Sequence, residues 1–141
     1  MAFPLDEKFI TDTENELNVL FPNEFKTKMI QENGGEVFTE DDNWQLYPFF
    51  DQSDKKRISR TCNHIGLETK QAREWINFPD DAVAIAGNGC GDHLVLLTTD
   101  GGKKLGEEIF IWHHETGEVE KTAETITELL DDGFEDEDFY F

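Results

Sequence analysis

The chain has 141 residues, 37% of them hydrophobic, and its 32 acidic side chains against 12 basic ones give a net charge of −20. This length suits a single domain with its own core, and twelve phenylalanines and three tryptophans exclude a disordered chain. The charge argues against nucleic acid and anionic membranes as partners and favours a basic protein partner. Solubility alone is the other explanation of the charge.

The start of the chain carries no basic and apolar leader, because residues 1–4 run directly into charged residues. Every apolar run is far shorter than the about 18 residues of a membrane helix. We therefore expect a soluble, cytoplasmic protein. In that compartment Cys62 and Cys90 are expected to be reduced, and we expect both to be partly buried.

The first third of the chain predicts two helices followed by two strands. Apolar residues at helical spacing over 10–20 indicate the first helix. Pro22 suits the first turn of the second helix, and the Asn-Gly-Gly sequence at 33–35 ends it. Strands are predicted at 36–38 and 44–50, separated by a polar turn.

The rest of the chain reads as helix, then sheet, then helix. Residues 58–76 fit one or two short helices broken at Gly66. Thr125 and Glu128 have the spacing of a capping box that opens a final helix. Between these helices the pattern predicts strands at 83–86, 94–98 and 108–112, the first two joined by a glycine-rich turn.

Residues 1–131 are predicted to form the single domain. Residues 132–141 form an acidic C-terminal tail, which either frays or docks through its aromatic residues. We expect an α+β fold with one predominantly antiparallel sheet of about six strands and helices packed against it. We place four aromatic side chains in or beside the core: Phe25, Trp44, Phe78 and Trp112.

Five sequence blocks, in order over residues 10–131, resemble the signature blocks of the SUKH superfamily. They are a Phe-Pro helix ending in Asn-Gly-Gly (21–35), a tryptophan strand (44–47), a Phe-Pro strand with a glycine-rich turn and second strand (78–97), a Trp-His-His-Glu-Thr-Gly turn (112–117) and a closing helix (123–130). The chain departs from the pattern at Cys90, where glycine is usual, and at His93, where an aromatic such as tyrosine is usual.

The resemblance implies a binding protein. Bacterial members of the superfamily are largely immunity proteins that bind and silence toxins, and a basic nuclease toxin would suit the charge of this chain. Eukaryotic relatives, including a fungal cell-wall-synthesis regulator, act by protein–protein contact, so a regulator or scaffold is the alternative.

An enzyme or metal-binding protein that uses His113 and His114 is a third hypothesis. Adjacent side chains of a strand point to opposite faces, so these two imidazoles are poorly placed to share one ion, although one of them with Asp92 or His93 could do so. Nothing in the sequence has the spacing of a catalytic constellation, and we expect no catalytic residue, no metal and no cofactor.

A basic partner would meet carboxylates that the turns hold outward, next to an aromatic anchor. Two aromatic residues following the tryptophan strand are candidates for the anchor, Tyr47 and Phe50. The candidate carboxylates are Asp41, Asp42, Asp80, Asp81, Asp92 and Glu115.

Overall fold

The computed structural model describes residues 5–39, 42–99 and 102–129. Six strands form one sheet in which each strand is antiparallel to the next along the chain. With its helices, this sheet confirms the predicted α+β fold. The strands are β1 (Glu36–Phe38), β2 (Asn43–Leu46), β3 (Ala82–Gly87), β4 (His93–Leu97), β5 (Ile109–Trp112) and β6 (Val119–Ala123).

Helices precede the sheet and interrupt it between β2 and β3. Asp6 caps the first helix by accepting a hydrogen bond from the Lys8 amide, and Asn18 ends it in the left-handed conformation with φ of 59°. Residues 126–129 are also helical. The longer helices are α1 (Glu7–Leu17), α2 (Asn23–Gln31), α3 (Lys55–Arg60) and α4 (Ile65–Ala72), and no helix of the described residues is long and apolar enough to cross a bilayer.

The sheet separates two hydrophobic clusters. Val83 and Ile85 of β3 belong to the larger cluster, which includes residues of α1 and α2, whereas Ala82 and Ala84 belong to the smaller one. This division follows from the alternation of side chains along a strand. As predicted, four aromatic residues are buried in these clusters: Phe25, Trp44, Phe78 and Trp112.

The strand predicted at 44–50 ends at Leu46, because further along the chain the backbone of Phe49 bonds to a side chain instead of a neighbouring strand. Asn33 accepts a hydrogen bond from the Phe49 amide at 2.8 Å and donates one to the Phe49 carbonyl at 2.9 Å. The Asn-Gly-Gly sequence that ends α2 thus also fixes the segment after β2.

Gly66 does not break the helix, contrary to prediction. The helix α4 begins one residue earlier, after His64, whose Nδ1 accepts a hydrogen bond from the Leu67 amide. A Cβ atom at Gly66 would lie 2.8 Å from an oxygen of Glu16 on α1. A side chain at Gly66 would therefore displace the Glu16 carboxylate.

The sequence pattern also missed β6 and misjudged the cysteines. Strand β6 contains few large apolar residues and directly follows a turn, so its sequence resembles that of a polar loop. Cys62 and Cys90 are both free, but they are exposed rather than partly buried. Each lies in a turn outside the helices and strands.

Candidate functional site

Three turns meet at one end of the sheet. The register pairs Gly87 with His93, His93 with Trp112, and Trp112 with Val119, so these residues form a row across three neighbouring ladders. The chain segments beyond that row leave the sheet in the same direction. We call this region the acidic end and define it as residue 42 with segments 88–92 and 113–120.

The acidic end brings together three of the predicted carboxylates. Asn88 donates to Asp42 at 3.1 Å and lies 3.5 Å from Asp92, so it joins the β1–β2 and β3–β4 turns. Glu115 is exposed in the neighbouring β5–β6 turn. Asp41 was predicted beside Asp42 but falls outside the described residues.

Asp92 holds the β5–β6 turn in place. Its Oδ1 accepts hydrogen bonds from the His114 amide at 3.0 Å and from the His114 ring at 2.7 Å. Although desolvation acts to raise it, these bonds hold the pKa of Asp92 below its usual value. Gly91 has φ of 104°, and a Cβ there would lie 3.0 Å from the His114 ring. The glycine is needed both for the turn and for this contact.

A half-buried pair of polar side chains, Tyr47 and His93, lies on the sheet next to the acidic end. The Tyr47 hydroxyl and His93 Nδ1 are 2.9 Å apart, and the His93 ring stacks on Trp112 with a centroid distance of 5.8 Å. Desolvation lowers the pKa of His93 and raises that of Tyr47, so both groups are neutral at pH 7. Tyr47, predicted as an anchor, has its hydroxyl in this internal contact.

The other predicted residues lie elsewhere. Phe50 follows β2 in the direction away from the acidic end and stacks on His64 with a centroid distance of 4.5 Å. Asp80 and Asp81 precede β3 at the opposite end of the sheet, where Asp81 accepts a hydrogen bond from Thr98 at 2.8 Å. The predicted carboxylates thus divide between two ends of the sheet.

The two adjacent histidines bind different carboxylates. His113 pairs with Glu120 at 2.9 Å, and His114 pairs with Asp92. An open cavity of about 400 Å³ beside them is lined by acidic and histidine side chains together with Cys90. Over residues 5–39, 42–99 and 102–129, no three His, Cys, Asp or Glu side chains are grouped so that they could hold a metal ion.

A second cavity of about 420 Å³ lies between α3 and the end of α2. Its wall includes Arg57, which pairs with the buried carboxylate of Asp51 at 3.6 Å. Asp51 also accepts hydrogen bonds from the amide and hydroxyl of Ser53, so this ionic group fixes the loop before α3. Asp51 and Arg57 in the wall of this cavity therefore serve the local fold.

Sequence reasoning missed two exposed apolar residues, Trp75 and Ile76. Trp75 is 53% exposed and Ile76 is 92% exposed. They were assigned to the helical region 58–76, but α4 ends at Ala72 and both lie in the turn that follows. The available signal was the pair of large apolar residues placed between a helix and the Phe-Pro sequence at 78–79.

The family comparison covers almost the whole domain. The family model described as the SMI1 / KNR4 family (SUKH-1) matches residues 4–132. No curated protein matches the chain. The match contains all five of the sequence blocks, and two of the three turns of the acidic end, β3–β4 and β5–β6, lie in the third and fourth of them.

Proposed function

The chain belongs to the SMI1 / KNR4 family (SUKH-1), and on that basis we propose that it is a bacterial immunity protein. In this proposal it is a non-catalytic cytoplasmic module that binds a cognate toxin and covers the toxin's basic active groove. A nuclease is the toxin class that the charge favours, because an enzyme that cleaves nucleic acid has a positive groove for phosphates.

The observation that carries the proposal is the charge of the acidic end. Its segments contain Asp42, Asp92, Glu115, Glu118 and Glu120 and no lysine or arginine. A surface whose exposed carboxylates are not balanced by lysine or arginine steers a basic partner towards itself and raises the rate of association. Steering of this kind suits an inhibitor that must reach its toxin before the toxin acts.

The hydrogen bonds of the acidic end support a binding role over a catalytic one. Asp92 is engaged by the His114 amide and ring, and His113 by Glu120, so these groups stabilise the turns. In the proposed function the turns form a rigid surface, which costs little entropy on binding.

The proposal predicts that a reading frame next to this chain's gene encodes the toxin, and that toxin supplies the test. We expect coexpression of this chain to restore growth of cells that produce the toxin domain, and the two purified proteins to form a stoichiometric complex that blocks the toxin's activity. Failure of both would contradict the immunity function. A complex without inhibition would instead favour the alternative, a regulatory or scaffold protein that acts by protein–protein contact.

A further inference from the structure

The turn after α4 exposes the two most accessible large hydrophobic side chains of the described residues, Trp75 at 53% and Ile76 at 92%. We call residues 74–77 the apolar turn. A single exposed apolar side chain is common. A tryptophan and an isoleucine that are adjacent in sequence expose more apolar surface, and its contact with water is unfavourable. Tryptophan is also among the residues enriched at the energetic centres of protein interfaces.

The apolar turn is held rigidly on both sides. The Trp75 amide donates to the Ala72 carbonyl at 2.9 Å, and the Phe78 amide donates to the Trp75 carbonyl at 3.2 Å. The buried Trp112 indole donates to the Asn77 carbonyl at 3.1 Å. The turn is therefore fixed before any partner arrives, which lowers the entropy lost on binding.

The Trp75 ring links the apolar turn to the acidic end. The Trp75 ring meets the Trp112 ring edge to face, with centroids 6.3 Å apart. It also meets the His114 ring edge to face, with centroids 6.0 Å apart. On the other side of the turn, a Cβ at Gly117 would lie 2.6 Å from the Cβ of Asn77. The apolar turn and the β5–β6 turn thus form one continuous surface.

Acidic side chains border this patch on the side of the β5–β6 turn. The segments 74–77 and 113–120 contain no lysine or arginine, and Arg73, which precedes the turn, donates to the Ala82 carbonyl at 3.3 Å. An apolar centre with a rim of one charge is complementary to an apolar pocket with a rim of the opposite charge. The carboxylates of the two segments are Glu74, Glu115, Glu118 and Glu120.

We infer that the apolar turn is the anchor by which this chain holds its partner, with Trp75 and Ile76 entering an apolar pocket bordered by lysines and arginines on a basic protein. This inference rests on the proposed immunity function and names the surface that performs it. The acidic end brings the partner into contact, and the apolar turn determines how slowly the partner leaves.

The dissociation rate of the complex with the neighbouring-gene toxin domain tests the inference. We expect Trp75→Ala to raise that rate about thirtyfold or more and Ile76→Ser about tenfold, with a small change in association rate. The matched control is Leu67→Ala, since Leu67 is also exposed, at 38%, but lies on α4 away from the turn. We expect this control to stay within about threefold of the wild type.

The two variants separate folding from binding. Trp75→Ala removes a contact with Trp112, whereas Ile76→Ser alters only the exposed tip of the turn, so a folded Ile76→Ser protein gives the decisive value. If the wild type binds the toxin and Ile76→Ser and Trp75→Ala both dissociate as the control does, the anchor is overturned while the immunity function stands. If the wild type binds no toxin, both proposals fall.

Discussion

At the scale of single residues, the acidic end depends on the uncharged pair Tyr47 and His93 beneath it. The two side chains bond to each other at 2.9 Å, and the imidazole lies among the rings of Phe78 and Trp112. A protonated imidazole there would lose most of its hydration, so the fold favours the neutral form. The proton affinity of His93 is thereby coupled to folding.

This coupling predicts that stability depends on pH. Burial lowers the pKa of His93 below its usual 6.5. The unfolded chain therefore takes up this proton at a higher pH than the folded protein does. The contribution of His93 is fully present above about pH 6.5 and is lost progressively as the pH falls towards the lowered pKa.

We expect urea denaturation to give a smaller free energy of unfolding at pH 5 than at pH 7, and His93→Gln to reduce this difference. Some difference should remain, because burial also lowers the pKa of His64. An unchanged difference in the His93→Gln protein would show that His93 is not the coupled group.

Gly87 is the second residue on which the pair depends. A Cβ at Gly87 would collide with the Tyr47 hydroxyl, which is bonded to His93. We predict that Gly87→Ala displaces the tyrosine and lowers the free energy of unfolding by roughly 1–3 kcal/mol. Chemical denaturation measures the loss. Gly102→Ala is the control, since its nearest non-neighbour atom would be the Thr99 carbonyl oxygen at 3.7 Å; an equal loss in both variants would contradict the explanation.

At the scale of elements, α4 covers the first part of β3 on the side where no strand of the described residues pairs with it. Strand β2 pairs only with Ala86 and Gly87, which leaves the earlier part of β3 without a strand on that side. The hydroxyl of Thr69, which is fully buried, accepts a hydrogen bond from the Ala84 amide at 3.0 Å. Arg73 donates to the Ala82 carbonyl at 3.3 Å. These side chains satisfy backbone groups that would otherwise be buried without partners.

We predict that Thr69→Val, which preserves the shape of the side chain, lowers the free energy of unfolding by about 1–3 kcal/mol. The cause is the unsatisfied amide of Ala84 in a buried position. Thermal and urea denaturation provide the measurement. Thr27→Val on the exposed face of α2 is the matched control and should lose much less. A loss no larger than that of the control would mean that water satisfies the amide.

The elements that could be predicted from the sequence are those that a local pattern of residues determines. Alternation gives β2, a continuous apolar run gives β4, and the proline and glycine positions give the limits of α2. The end of β2 at Leu46 depends on Asn33, thirteen residues away in sequence, and the role of Gly66 depends on Glu16 of α1. Such contacts between distant residues leave no local signal, which is why these predictions were wrong.

The candidate site was harder to predict than the fold for the same reason. The outward turns of the sheet were visible as glycine and acidic clusters, but the sequence did not reveal that Asp80 and Asp81 lie at the end opposite Glu115. Nor did it reveal the exposed Trp75, because an aromatic residue after a helix is more often core. Whether the predicted carboxylates contact a partner stays a prediction.

At the scale of the whole molecule, the charge is unevenly distributed. Helix α3 holds Lys55, Lys56, Arg57 and Arg60 within six residues, while the acidic end has no lysine or arginine. A basic partner is therefore oriented as well as attracted. If the net charge served only solubility, the position of the carboxylates would not matter.

This distinction predicts different effects of charge reversal at two places. We expect Glu115→Lys with Glu118→Lys to slow association with the toxin by an order of magnitude or more. Glu7→Lys with Asp12→Lys on α1 changes the net charge equally outside the acidic end and should slow it much less. Stopped-flow mixing measures both rates, and equal slowing would mean that only the net charge matters.

The most direct test of the account is the association rate of the wild-type protein with the toxin as salt is raised from about 0.05 to 0.5 M. Over that range the Debye length falls from roughly 14 to 4 Å, so exposed charges at an interface cease to attract at a distance. The account predicts that the association rate falls at least tenfold while the dissociation rate, governed by the apolar turn, changes little. An association rate that does not depend on salt would contradict it, and the net charge of −20 would then serve solubility alone.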